Sequence, residues 1–285
     1  MTFEQLQSYI AAVESDTFAE AADAAHISQS ALTKQIQKLE RELGVQLLER
    51  SHRTTSLTPS GEIVYGEAKE LTARYRSMLE RLAKLESGAR IIVGALPILS
   101  QYGLTDRIHT YMTTYPEDVL VIEEAEEKAL TEGLRNGRYD FVIARENMVA
   151  REQIVAEIAR DELVLALPED HELADNGHVG PAELAGLPLF MMSPYTAVYE
   201  VCMALFECAG VRPNVVRTGR VESMLSAAAV QRGVCLLPYN SFRLFRYQGL
   251  TAIPLEPPVE LPVVLAANQN SALSKTARRF VGFWL

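Results

Sequence analysis

Apolar positions recur at three- and four-residue steps over roughly the first 85 residues, then gather into short continuous runs beyond residue 90. The first spacing is that of helices with one buried face; the second is that of strands covered on both sides. Thr2-Phe3-Glu4-Gln5 reads as a capping box, with Thr2 accepting at the helix start and Gln5 reaching back. The helix it opens buries Leu6, Tyr9, Ile10 and Val13. A second box, Thr17-Phe18-Ala19-Glu20, opens the alanine-rich stretch "AEAADAA", whose small side chains let another helix approach closely. After the break His26-Ile27-Ser28, a helix runs to Gly44, with Ser28 as N-cap and Gly44 as the left-handed stop. Its apolar residues are Ala31, Ile36, Leu39 and Leu43. Gln29, Ser30, Thr33, Lys34 and Gln37 form a polar stripe on another face. Two helices joined by a short turn, the second polar at its start, form a helix-turn-helix pattern.

"VQLLERSHRTTSLT" has β-branched residues, paired cations and no helical period, and predicts a two-stranded wing. Thr58-Pro59 then opens a long helix. Along it Val64, Ala68, Leu71, Tyr75, Met78, Leu82 and Leu85 step by four and three in strict alternation, a heptad seam that calls for a partner helix. At ~1.5 Å per residue the helix would span ~45 Å. The competing reading is a helix packed on its own domain.

Past Ser87-Gly88 the apolar runs are "RIIVGAL", "VLVIEE" and "DFVIAR", with helical patterns near 104–114 and 127–136 between them. "ELVLALP" starts a second set that continues through "PLFMM", a helix near 197–209, "NVVRTG", a helix near 221–232 and "VCLLP". "LPVVLAANQ" and a terminal helix close the chain. Strand–helix alternation of this kind builds parallel α/β units. A chain that leaves one such lobe and returns to it leaves a cleft between two lobes.

Composition narrows the class. The 285 residues exceed one typical domain and carry a net charge of −10. That charge opposes non-specific nucleic-acid binding, yet residues 34–53 hold all five cations of the first 58 residues: Lys34, Lys38, Arg41, Arg50 and Arg53. A basic surface can therefore exist locally. No apolar run reaches the ~18 residues of a membrane span. The N-terminal stretch carries Glu4 early and no basic segment, unlike a secretory signal. The expected compartment is the cytoplasm. Cys202, Cys208 and Cys235 make neither a CxxC nor a metal spacing, and read as small buried hydrophobes rather than redox sensors. GxSxG, GxGxxG, GxxxxGK[ST] and HExxH do not occur, and the five histidines are scattered, so the chain does not read as an enzyme, nor as needing a cofactor or metal. A solute-binding protein would share two lobes but not the first 88 residues.

The stretch "FAEAADAAHISQSALTKQIQKLERELGVQLLERSHRTTSLTPSGE" resembles the winged helix-turn-helix of LysR-type transcriptional regulators, and the likeness continues through the long helix and "GARIIVGALPIL" into the paired lobes. The resemblance implies an α/β multi-domain chain. Residues 1–58 would be an all-α winged helix-turn-helix domain and 59–88 a linker and dimerisation helix. Residues 89–161 plus 267–285 would form effector lobe I and 162–266 lobe II, together a bilobal domain like the type 2 periplasmic binding proteins. It further implies double-stranded DNA as partner, a homodimer assembled into a homotetramer, contact with RNA polymerase, and a small-molecule effector between the lobes.

Carried over residue by residue, the resemblance gives base reading to Gln29, Ser30, Thr33 and Lys34, with Gln37 on the same stripe. Arg50 and Arg53 on the wing would meet phosphates or the minor groove. The family often has arginine where Lys34 stands; arginine forks onto guanine whereas lysine is a point charge, so Lys34 fits a phosphate or a single acceptor. On the effector side, Ser100 and Gln101 in "PILSQYG" and Ser193 and Thr196 in "MMSPYTAVYEVC" are the polar candidates. Arg145 at the end of "DFVIAR" is the cationic one. Hydroxyls at helix N-termini with a nearby cation favour an anionic effector. Two plainer readings stand beside these: Arg145 in an ion pair with Glu146 or Glu123, and Ser193 and Thr196 as ordinary helix caps.

Overall fold

The computed structural model describes residues 1–50, 55–87, 90–268 and 273–285. The chain forms two compact units, Met1–Glu86 and Ser87–Leu285.

The first unit is built from α1 (Phe3–Glu14), α2 (Phe18–Ala24), α3 (Gln29–Leu43), β1 (Leu48–Arg50), β2 (Thr55–Leu57) and the 29-residue α4 (Pro59–Ser87). The caps form where the side chains dictate. Thr2 and Gln5 complete both halves of their box, whereas Thr17 accepts from the Glu20 amide alone. Ser28 Oγ accepts from the Ala31 amide, and Gly44 ends α3 at φ +71°. α3 buries Leu32, Ile36 and Leu39, while Leu43 is 38% exposed. Leu32 was outside the expected apolar set, although it stands four residues before Ile36 and seven before Leu39 and so shares their face. These residues meet Leu6 and Tyr9 of α1, Ala21 and Ala22 of α2, and Ala68 of α4 in one core.

The seam of α4 divides. Val64 and Ala68 pack into that core, and Tyr75 stacks on Phe3 with ring centroids 4.1 Å apart. Leu71, Met78, Leu79 and Leu82 are exposed. The Leu85 side chain lies outside what is described.

The second unit contains two five-stranded sheets among the described residues. The first has the order β4–β3–β5–β12–β6, with β3 (Arg90–Ala95), β4 (Val119–Glu124), β5 (Phe141–Arg145), β6 (Ile154–Ala159) and β12 (Val263–Ala267). The second has the order β11–β7–β10–β8–β9, with β7 (Leu163–Pro168), β8 (Pro188–Met192), β9 (Asn214–Gly219), β10 (Val234–Pro238) and β11 (Leu250–Pro254). α5 (Leu104–Thr114), α6 (Glu127–Asn136) and α10 (Lys275–Trp284) cover the first sheet; α7 (Ala197–Cys208), α8 (Val221–Gln231) and α9 (Tyr239–Leu244) belong to the second. Alternation in β7 shows why continuous apolar runs are needed: Leu163, Leu165 and Leu167 enter one core and Val164 and Ala166 the other.

Three features depart from the sequence expectation. The sheets are mixed, since β12 runs antiparallel to β5 and β6, and β7 antiparallel to β10 and β11. Strands β6 and β11 were not foreseen; both are edge strands with a half-exposed face, so neither gives a continuous apolar run. Strand β12 lies between β5 and β6, which returns the chain to the first lobe at Val263 rather than 267. The two crossings bond to each other, Leu261 N–H to Asp161 O at 2.7 Å and Leu163 N–H to Val259 O at 2.9 Å.

Candidate nucleic-acid interface and interlobe cleft

The start of α3 is a polar surface. Gln29, Ser30, Lys34 and Gln37 are exposed and Thr33 is half-buried. Thr33 Oγ1 donates to the Gln29 carbonyl at 2.9 Å, and Ser30 Oγ lies 3.1 Å from Ser28 Oγ. The first turn carries no acidic residue, so the positive end of the helix dipole is left for an anion such as a phosphate. The strands β1 and β2 pair antiparallel with Leu48 opposite Leu57. They are tied to α3 by Glu40, whose Oε1 accepts from the Leu47 and Leu48 amides at 2.9 and 3.4 Å. This tether escapes sequence reasoning, because Glu40 looks like one more solvated charge. Tyr9 Oη donates to the Gly61 carbonyl at 2.9 Å, and burial pushes the Tyr9 phenol up to about 12. A side chain at Gly61 would collide with the Leu47 carbonyl. Of the two wing arginines, Arg53 lies outside the described residues, and so does the side chain of Arg50.

Between the two sheets of the second unit lies a cleft of ≈ 370 Å³, lined by residues of both lobes. Gln101, Arg145, Ser193 and Thr196 all line it; Ser100 is exposed and does not. Ser100 and Gln101 are neighbours in the 3-10 turn Leu99–Tyr102. Gln101 Oε1 accepts from Ser241 Oγ across the cleft at 2.9 Å. Thr196 caps α7: its hydroxyl accepts from the Tyr199 amide at 3.3 Å and donates to the Ser193 carbonyl at 2.8 Å.

Arg145 pairs with neither Glu146 nor Glu123. Its guanidinium is 4% exposed and donates to the Leu261 carbonyl at 3.0 Å and to Tyr102 Oη at 2.5 Å. Tyr102 in turn donates to Asp161 Oδ2 at 2.5 Å, and the Arg145–Asp161 ion pair spans 4.0 Å. Burial and the Asp161 charge push the Tyr102 phenol well up, against the pull of Arg145. Both of these guanidinium hydrogen bonds are made inside the protein, at the segments where the chain crosses between lobes.

The N-terminus of α7 does hold a carboxylate, but it belongs to the protein. Glu127, the first residue of α6 in the opposite lobe, accepts from the Ala197 amide at 2.7 Å. Asn147 Nδ2 donates to the Ala197 carbonyl at 3.1 Å. Burial raises the Glu127 carboxyl above its ordinary value; the Ala197 amide and Arg145 pull it down, and Glu200 and Glu126 push it up. Glu126-Glu127 reads in sequence as the usual acidic start of a helix, which hides this role. Among the described residues no group of His, Cys, Asp and Glu side chains could hold a metal ion, and no helix is long and apolar enough to cross a membrane.

A helix-turn-helix unit with a wing, followed by a bilobal α/β domain, defines a ligand-responsive DNA-binding regulator. Residues 3–62 match the model of the bacterial regulatory helix-turn-helix proteins of the lysR family, and residues 85–285 match the LysR substrate binding domain. The chain belongs to the LysR family of transcriptional regulators, and is therefore a DNA-binding regulator and not an enzyme. It is 32% identical over 283 residues to the HTH-type transcriptional regulator BenM of Acinetobacter baylyi, covering 95% of this chain and 90% of BenM. It is 29% identical over 242 residues to the dual regulator OxyR of Escherichia coli, covering 84% and 79% of the two chains. Its fold resembles full-length CbnR crystallised with its target DNA, with a TM-score of 0.67, 22% identity and coverage of 100% and 99%.

Proposed function

We propose that this protein reads an operator through the first turns of α3 and carries a small effector between its lobes. The observation that carries the reading is the exposed stripe Gln29, Ser30, Lys34 and Gln37 at an N-terminus free of acidic residues, beside a wing held in place by Glu40. Gln29 can pair bidentately with an adenine edge, while Lys34, and the wing arginines Arg50 and Arg53, meet phosphates. Residues 59–88 join two copies: the exposed Leu71, Met78 and Leu82 continue the seam whose first turns pack within the chain. The family resemblance extends this to a dimer of dimers that touches RNA polymerase in the cytoplasm, where the DNA is. Of the effector candidates, Gln101 and Ser193 line the cleft, Thr196 also caps α7, and Arg145 supports the lobe crossing.

The test is binding to DNA upstream of the protein's own coding region against scrambled DNA, by fluorescence anisotropy across a salt series. Preference by ~10³-fold or more is expected of a specific regulator. Equal, weak binding to both, followed by failure to enrich any site from random DNA, overturns the reading.

A further inference from the structure

The cleft has an internal occupant at one of its ends. In a bilobal domain the open amides at the start of α7 would be the seat for a ligand carboxylate. Here Glu127 reaches from the other lobe and takes the Ala197 amide with Oε2 at 2.7 Å. Among the described residues its Oε1 has no hydrogen-bond donor, and Glu127 lines the cleft. Charge around it is unbalanced. Glu126 and Glu222 also line the cleft, and Glu200 and Glu126 act on Glu127 with like charge. Arg145 and Arg220 are the lining cations, and Arg145 is already balanced by Asp161.

We propose that Glu127 sets the chemical class of the effector: it fills the anion seat of α7, so the effector meets that end of the cleft through a protonated amine laid on the Glu127 carboxylate. The inference rests on the effector-cleft reading above and replaces the purely anionic effector expected from sequence. The physical reason is compensation. A second carboxylate entering beside Glu127 would face a like charge in a partly dry site, which is strongly unfavourable. An ammonium donates to Oε1 in place of water and offsets the partial loss of water that pushes the Glu127 carboxyl upward. The hydrogen bond to Ala197 orients the carboxylate before the ligand arrives, so little further ordering is needed.

The experiment uses the full-length protein, thermal unfolding, and two probes of equal carbon length, putrescine and succinate. Putrescine at about ten times its dissociation constant should raise the wild-type Tm by ~3 °C, and succinate should leave it unchanged. Glu127→Ala empties the seat, so succinate should now stabilise and putrescine should not. Glu127→Gln keeps an acceptor for the Ala197 amide without the charge, and should lose the putrescine shift without gaining the succinate one. Succinate stabilising the wild type as strongly as Glu127→Ala, or no succinate gain in Glu127→Ala, overturns the proposal and leaves the cleft as an effector site. Probe shifts that survive a bulky Ser193→Trp in the cleft place binding elsewhere and overturn the cleft reading itself.

Discussion

Arg145 and Asp161 stand 4.0 Å apart, both buried, with the Tyr102 hydroxyl between them. Arg145 ends β5 of the first lobe, and Asp161 lies on the segment that leaves for the second. Asp161 also accepts from the Glu162 and Asn240 amides at 2.9 and 3.2 Å, so the pair anchors both sides of the crossing. Arg145→Ala strands a buried carboxylate and should cost about 3–5 kcal/mol of unfolding free energy in ligand-free protein. Denaturant unfolding with the Arg145→Ala/Asp161→Ala double variant checks it: the double variant should lose less than the two single losses combined. An Arg145→Ala protein as stable as wild type would return Arg145 to the role of a ligand contact.

On the DNA side, Gln29→Ala should cost ~1–3 kcal/mol on the specific site and relax base choice at one position. Lys34→Ala should weaken binding to all sequences and reduce the salt slope by about one ion. Titrations on operator and scrambled DNA at several salt concentrations separate the two. Identical behaviour of both variants would show that the division into base and phosphate contacts is wrong.

The exposed half of the α4 seam makes a separate prediction. Met78 and Leu82 are 48% and 53% exposed, and burial of that remaining half of each against a second copy contributes about 0.7–1.5 kcal/mol. Leu82→Glu should therefore raise the self-dissociation constant by tenfold or more, read by sedimentation velocity. Ala68→Glu, on the same seam but in the core of the first unit, should instead lower the melting temperature. If Leu82→Glu leaves the sedimentation coefficient unaltered, the seam does not join copies.

The three cysteines separate by burial. Cys202 and Cys235 are buried and their thiols are pushed up to about 12, whereas Cys208 is exposed at the end of α7. The thiolate is the reactive form, so iodoacetamide at neutral pH should label Cys208 alone in the folded protein and all three after unfolding. Peptide mass spectrometry reads this directly. Rapid native labelling of Cys202 or Cys235 would contradict their inertness and reopen a redox role.

Much of the fold is legible in the sequence alone. Capping at Thr2, Ser28, Gly44 and Thr58, the stripe from Gln29 to Gln37, and the strand runs at 90–96 and 162–168 are local: each follows from side chains within one or two turns of each other. Edge strands β6 and β11 carry a half-exposed face, so their pattern is weak and they were missed.

What tertiary structure alone decided concerns pairs far apart in sequence. Glu127 reaches Ala197 across 70 residues, Arg145 reaches Leu261 across 116, and Ser241 reaches Gln101 across 140. No periodicity encodes such partners. A glutamate at a helix start, an arginine at a strand end and a serine near a turn each have a bland local explanation. Their roles depend on which lobe surface faces them, and that is set by the order of strands in the two sheets and the point at which the chain crosses back.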